Sequence, residues 1–339
     1  MLELVKKLSL LNGTSGREDS VREFIINEIK DCAETYEVDP LGNLIVFKKG
    51  RKTPKNKVML DAHMDEVGFM ITSINSDGTL GFERIGGIDK RVMLGRAVTV
   101  GEKKINGVIG LKPVHMTKGD EKMSMPEKMY IDIGTDNAEQ AAKLVSLGDC
   151  AYFNSDFVEF GDGYIKCKAL DDRAGCAAII RAAELVSKEK ERPSVKLLFS
   201  GQEETGGDGA ITGSFNLDAD ECIAVDVSFA DAPDMPSEKC GKLNKGPMIG
   251  IAPVLDYRIS QKLKATAEAK KIPYQLELMG DSTGTNADHI AISKVGIRTV
   301  LVSIHQRNMH TGVEVIAVDD VENTAKLIAE YILGGGLDA

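Results

Sequence analysis

Four short apolar runs in this chain each spill directly into residues of metal-binding type, and that coincidence limits its fold more than any other feature. KVMLDA (57–62) runs into His63-Met64-Asp65, and VKLLFS (195–200) into Gly201-Gln202-Glu203-Glu204. CIAV (222–225) ends at Asp226, and TVLVSI (299–304) leads through a short loop to His310. Runs of this length and composition predict strands buried on both faces, as a parallel sheet requires. In an open α/β sheet ligands collect outside the carboxyl ends of the strands, so four such strands would deliver His, Glu, Asp and His to one edge. A fifth group, Asp171-Asp172, opens a helix whose apolar face is Cys176, Ile179, Ile180, Ala183 and Val186. The helix dipole favours acids at that end, and the pair can face the same edge.

The remaining segments predict an α/β sandwich interrupted by a smaller β unit. Leu4, Leu8 and Leu11 mark a helix broken at Asn12-Gly13, and Val21, Phe24, Ile25 and Ile29 mark a second. Residues 43–48 read as a strand entered through the turn Asp39-Pro40-Leu41-Gly42. Between about residues 66 and 160, short runs such as VGFMITSI, AVTVG, GVIGL and MYIDI alternate with Gly, Asp and Asn turns, with one helical interruption near 137–146. That texture predicts a small β-barrel or sandwich inserted into a larger domain. Beyond residue 165 helix and strand alternate: SVKLLFS, ECIAVDVS and RTVLVSI are the strands, with helices near 257–271 and 286–294 and a last one striped by Val321, Ile328 and Ile332. Such alternation implies a mainly parallel sheet covered by helices.

Two imidazoles and several carboxylates without a thiolate suit zinc, cobalt or manganese better than calcium. Five protein ligands are more than one catalytic metal needs while keeping a position open. Two metals sharing one carboxylate explain the count better, roughly 3.5–4 Å apart and activating a water for attack. Taken singly, each residue has an ordinary reading: His63-x-Asp65 as a hydrogen-bonded pair, Glu203-Glu204 as a solvated loop, Asp171-Asp172 as a helix cap. Asp226 inside an apolar strand is less ordinary, because an unpaired buried carboxylate is costly. The coincidence at four strand ends is what turns the balance.

Composition removes several alternatives. With 42 basic against 52 acidic residues the net charge is −10, which opposes nucleic-acid binding through a basic face. Aromatics make up 5% and tryptophan is absent, which weighs against a polysaccharide cleft. The opening MLELVKKLSLLNG lacks the apolar core and cleavage site of a secretory signal, and no run approaches the roughly 18 apolar residues of a membrane span. Six scattered cysteines without a CxxC pair read as reduced thiols, so the expected location is the cytoplasm, with no membrane partner. At 339 residues, one large domain with a smaller one is the expected organisation.

The motifs AHMDEVGF (62–69), KALDDRAG (168–175), GQEE (201–204), VDVS (225–228) and RNMHTGVE (307–314) together resemble the tetrahedral (TET-type) glutamyl and leucyl aminopeptidases, dinuclear metallopeptidases of which some members are labelled endoglucanase. The resemblance spans nearly the whole chain, in order. It implies a catalytic domain built from 1–66 and 161–339 and an inserted β-barrel domain at 67–160. It further implies that Asp171 bridges two divalent ions, that His63 and Asp226 complete one site, and that Glu204 and His310 complete the other. Glu203 would be the general base and acid, Asp65 would orient His63, and Asp172 would support the site without ligating. Peptides with a free N-terminus would be the substrates, and a dodecamer built from dimers the assembly.

Some positions depart from the family's common form: Thr205-Gly206 after GQEE, Asn286 in GTNAD where an aspartate is common, and Gly312 after His310. None removes a ligand. The rival readings are another metal-dependent amide hydrolase on the same fold, such as a deacylase or carboxypeptidase, and a glycoside hydrolase using paired carboxylates. His115, His289 and His305 receive no role, although His305 stands close before His310.

Overall fold

The computed structural model describes residues 1–51, 56–112, 129–190 and 193–337. Two amphipathic helices open the chain, α1 (Leu2–Ser9) and α2 (Asp19–Ile29), before β1 (Thr35–Val38), β2 (Leu44–Lys48) and β3 (Val58–His63). Next come β4 (Gly68–Ile74), β5 (Leu80–Ile85), β6 (Ala97–Val100), β7 (Ile105–Gly110), β8 (Tyr130–Asp132), α3 (Ala138–Ala142) and β9 (Cys150–Phe153). The hairpin β10 (Val158–Phe160) and β11 (Tyr164–Cys167) leads to α4 (Leu170–Lys188), β12 (Val195–Ser200), α5 (Asp208–Asn216) and β13 (Glu221–Phe229). The chain finishes with β14 (Met248–Ile251), α6 (Tyr257–Lys270), β15 (Gln275–Leu278), α7 (Asn286–Ala291), β16 (Arg298–Gln306), β17 (Glu314–Ala317) and α8 (Val318–Leu333).

The large sheet has the order β1-β2-β12-β3-β13-β16-β14-β15, and its four central strands, β12, β3, β13 and β16, are mutually parallel. These are the four runs that end in candidate ligands. Antiparallel pairing appears only towards the edges, at β1–β2, β2–β12 and β14–β16. Alternate residues of each central strand enter different cores, as the two-residue pleat demands. Val58, Leu60, Ala62, Leu197, Phe199, Ile223, Val225, Val300 and Val302 pack with α1, α2, α4, α6 and α8, whereas Met59, Leu198 and Cys222 pack with α5 and α7. The result is the α/β sandwich that the alternating elements predict.

The strands from β4 to β9 close into a barrel in the order β4-β5-β8-β7-β6-β9. Its interior is apolar, and Phe69 stands edge-on to both Phe82 and Phe153, with ring centroids 5.2 and 5.3 Å apart. A third sheet, β10-β11-β17, joins the hairpin after the barrel to the strand before α8.

Two local differences from the sequence expectation have physical causes. Helix α1 stops at Ser9, short of Leu11, and the carbonyls of Leu8 and Leu11 instead accept hydrogen bonds from the buried cations Arg173 and Lys168. Strand β13 covers the expected ECIAVDVS and one residue more, so Asp226 lies within it and not at its end; β16 continues beside it, pairing Asp226 with Ser303 and Phe229 with Gln306. Four of the six cysteines are buried and all are free.

Candidate metal centre

Register sets the height of each candidate ligand. Ser200 lies opposite His63 across β12 and β3, and Ala224 lies opposite Asp61 across β13 and β3, which brings Asp226 level with His63. Glu203 and Glu204 follow immediately after β12. Asp171 reaches the same crest because α4 is not regular at its start, where Asp171 has φ −78° and ψ 108°. The two acids then divide their work. Asp172 Oδ1 accepts from the Gly175 backbone N–H at 3.0 Å, a capping bond, and Asp171 is left to face the imidazoles.

Asp171 is the centre of the cluster. Its Oδ1 stands 3.1 Å from His63 Nε2, and its Oδ2 stands 3.3 Å from His310 Nε2. On the first side, Asp226 Oδ1 lies 3.8 Å from His63 Nε2; on the second, Glu204 Oε2 lies 3.3 Å from His310 Nε2. Donor atoms of His63, Asp171 and Asp226 all fall within 4.8 Å of one another, as do those of Asp171, Glu204 and His310. Glu203 Oε2 is 3.9 Å from His63 Nε2, and donor atoms of His63, Glu203 and Glu204 form a third group within 4.8 Å of one another.

Asp65 does more than face His63. The ring Nδ1 of His63 lies 3.1 Å from the Asp65 carbonyl oxygen and 3.3 Å from its Oδ1. The carboxylate also accepts the backbone N–H of Glu203 at 3.0 Å, the N–H of Glu204 at 3.1 Å and the Ser15 hydroxyl at 2.6 Å. His310 is oriented from the barrel side, where its Nδ1 lies 2.9 Å from the Gly87 carbonyl. A side chain at Gly87 would press on that ring, since a Cβ there would come 3.3 Å from Nδ1. Glu314, buried beneath the start of α4, accepts the N–H groups of Leu170 at 2.7 Å and Asp171 at 3.2 Å.

The donor set fits divalent cations. Burial pushes Glu204 and Asp226 well above the ordinary carboxylate range, and Asp171 adds to the shift in both. Burial raises Glu203 to about 7. Burial would lift Asp171 too, but the His310 and His63 imidazoles beside it hold it below its usual range. Burial lowers His310, yet Asp171 and Glu204 outweigh it and carry the ring to about 10. Glu204 Oε1 is buried with no hydrogen-bond partner among the described residues. Fully ionised, the four carboxylates would carry four negative charges, which two dications would balance, and His–carboxylate donors suit zinc-like ions.

The sequence reading singled out every member of this cluster and its support Asp65, but not the remaining supports. Gly87 and Glu314 act through backbone groups, for which composition gives no signal, and Ser15 acts through its hydroxyl on Asp65; only Glu314 fell within a quoted motif. Asn286 now has an account. Its Nδ2 donates to Asp61 Oδ2 at 3.1 Å and lies 2.9 Å from Ser200 Oγ, so an aspartate there would set two buried carboxylates against each other. His305 is fully enclosed beside Gln275, with its ring Nε2 2.8 Å from the amide nitrogen. His289 lies in α7, and His115 lies outside the described residues.

An α/β sandwich with a histidine and carboxylate cluster at the crest of its parallel strands is the architecture of a metallohydrolase. Residues 42–327 match the family model of the M42 glutamyl aminopeptidases. The chain belongs to that family and is an aminopeptidase. It is 31% identical over 332 residues to the lysyl aminopeptidase of Pyrococcus furiosus, covering 96% of this chain and 94% of that one. Its fold superposes on an aminopeptidase from the archaeon Desulfurococcus kamchatkensis with a TM-score of 0.92, at 34% identity and 98% and 94% coverage. It also superposes on the Pyrococcus horikoshii TET1 peptidase, described as assembling into a tetrahedron or a large octahedral shell, with a TM-score of 0.84, 33% identity and 98% and 99% coverage. No described helix is long and apolar enough to cross a membrane.

Proposed function

We propose that this aminopeptidase removes N-terminal residues from peptides with two divalent ions per chain, zinc or cobalt before manganese. His63, Asp171 and Asp226 would hold one, and Asp171, Glu204 and His310 the other. The observation that carries this reading is the division of Asp171, with one oxygen towards His63 and the other towards His310. When bound, the ions would supply Lewis-acid polarisation of the scissile carbonyl and a lower pKa for attacking water.

The chain's own residues handle the proton. Glu203 is mostly enclosed, with burial raising its carboxyl to about 7, and its neighbour Glu204 lies 3.3 Å from the His310 ring. As base it takes a proton from the water that attacks the carbonyl carbon; as acid it returns that proton to the amine nitrogen when the C–N bond breaks. Asp65 holds the backbone of both glutamates while its own carbonyl faces the His63 ring, so the base and one ligand share a support.

We further assign 1–66 and 161–339 to a catalytic domain and 67–160 to an inserted barrel domain, in a cytoplasmic, dodecameric shell built from dimers. The self-assembling Pyrococcus horikoshii relative supports the shell. Cleavage of free-amine aminoacyl anilides but not of N-acetylated peptides, tested with zinc, cobalt and manganese, separates this function from a deacylase or carboxypeptidase. Turnover of the acetylated peptides alone would overturn it. Light scattering on the metal-loaded protein tests the shell, and a monomer at all concentrations would refute that part.

A further inference from the structure

The turn after β12 carries four successive backbone N–H groups, from Gly201 to Glu204, and each is taken by a side chain from elsewhere in the chain. Gly201 N–H donates to Asn43 Oδ1 at 2.9 Å, and Gln202 N–H to Glu18 Oε1 at 3.2 Å. Those of Glu203 and Glu204 donate to the two oxygens of Asp65. The carbonyls of Gln202 and Glu203 are held by the N–H groups of Gly206 and Gly207 within the turn, and the side-chain acceptors fix its N–H side. Gln202 sits in the left-handed region with φ 59°, which a non-glycine residue adopts at a cost and keeps only where its surroundings hold it.

Glu18 is built to hold. It is 3% exposed and stands at the head of α2, where its carbonyl accepts from Val21 and Arg22. Its carboxylate also accepts Gly16 N–H at 2.7 Å, which fixes the oxygen that meets Gln202. The loop that carries it is fastened on the other side. Gly13 N–H donates to Glu66 Oε1, Glu66 N–H returns a bond to the Gly13 carbonyl, and Ser15 donates to Asp65. The N-terminal segment thus reaches the glutamate turn twice, once directly through Glu18 and once through Ser15 and Asp65.

We propose that Glu18 is a positioning residue for the reaction, fixing the Gln202 backbone and through it the direction in which Glu203 presents its carboxylate. This rests on the reading of Glu203 as general base. The carboxylate of Glu18 touches neither substrate nor metal; it acts only as an acceptor, so an amide oxygen replaces it.

The test compares Glu18→Ala, Glu18→Gln and Glu203→Gln in the metal-loaded full chain, with an aminoacyl p-nitroanilide that the wild type cleaves. A misdirected base loses about 10–100-fold in kcat, the scale of a positional error near 1 Å, and Glu18→Ala is expected to do so. Its KM should stay within about twofold, and Glu18→Gln should keep kcat within about threefold. Metal content by elemental analysis should match wild type in all three. Should Glu18→Ala not fold, Glu18→Met, which fills the space without accepting, takes its place. Wild-type kcat in Glu18→Ala beside an inactive Glu203→Gln overturns this inference alone. Equal loss in the Gln and Ala variants, or loss that tracks missing metal, overturns it as well. An active Glu203→Gln overturns the base assignment and this inference together.

Discussion

Asp65→Asn changes one atom at a fully buried residue and leaves its volume almost untouched. In the native site Oδ1 accepts from Glu203 N–H, and Oδ2 accepts from Glu204 N–H and the Ser15 hydroxyl. An asparagine can accept at only one of these positions. Placing its NH2 at the Oδ1 position sets it against Glu203 N–H and the His63 ring. Placing it at the Oδ2 position sets it against Glu204 N–H, while the Ser15 hydroxyl can rotate and accept. The second orientation is the cheaper one. It forfeits a charge-assisted bond of about 1.5–3 kcal/mol and leaves a buried N–H unpaired at about 1–3 kcal/mol. If about 3 kcal/mol of that reaches the transition state, kcat falls roughly 10²-fold, at 1.36 kcal/mol per decade. Ser15→Ala removes only one of the donors and should lose less than roughly tenfold, whereas Asp65→Ala strips both N–H groups and should lose most. Steady-state kinetics on metal-loaded protein gives the order. Asp65→Asn within about threefold of wild type, or less damaging than Ser15→Ala, would refute the account of Asp65 as a shared support.

Two further outcomes follow from other parts of the molecule. Glu203→Gln keeps the shape of the side chain but cannot carry the proton, so turnover should fall about 10²–10⁴-fold with metal content unchanged, measured by kinetics and elemental analysis. Glu66→Gln should destabilise the fold by about 3–5 kcal/mol, because it strands a buried ammonium. Lys168 Nζ is 2.8 Å from both Glu66 oxygens, with Arg173 3.7 Å away, and all three side chains are almost fully enclosed. A denaturation midpoint indistinguishable from wild type would contradict that reading.

Much of the fold was legible because burial writes itself into composition. The four central strands are nearly continuous apolar runs, since helices cover both faces, and their ends point to the site. The barrel was legible as a change of texture, but its strand order was not: β5 pairs with β8 and β6 closes on β9 through contacts distant in sequence. Within the site, His63, Asp171, Glu203, Glu204, Asp226 and His310 stood out because charged residues beside apolar strands are expensive to bury. Among the acceptors of the glutamate turn Asp65 stood out, but Asn43 and Glu18 did not. Glu18 follows a loop whose residues look solvated, and its partners are backbone N–H groups that every residue carries, while Ser15 donates to the Asp65 carboxylate. The Gly87 carbonyl is beyond any reading of side chains.

The central claim is that Asp171 is shared between two metal positions, and metal stoichiometry tests it most directly. Wild type, Asp171→Asn and His310→Ala, each checked for fold by circular dichroism, are dialysed against limiting zinc or cobalt and submitted to elemental analysis. Asp171 faces both imidazoles, so its neutral amide should weaken both positions and leave the protein nearly empty. In the proposed scheme His310 serves one position only, so His310→Ala should retain about one ion per chain, held by His63, Asp171 and Asp226. Two tightly held ions in Asp171→Asn, or none in wild type at saturating metal, would contradict the account.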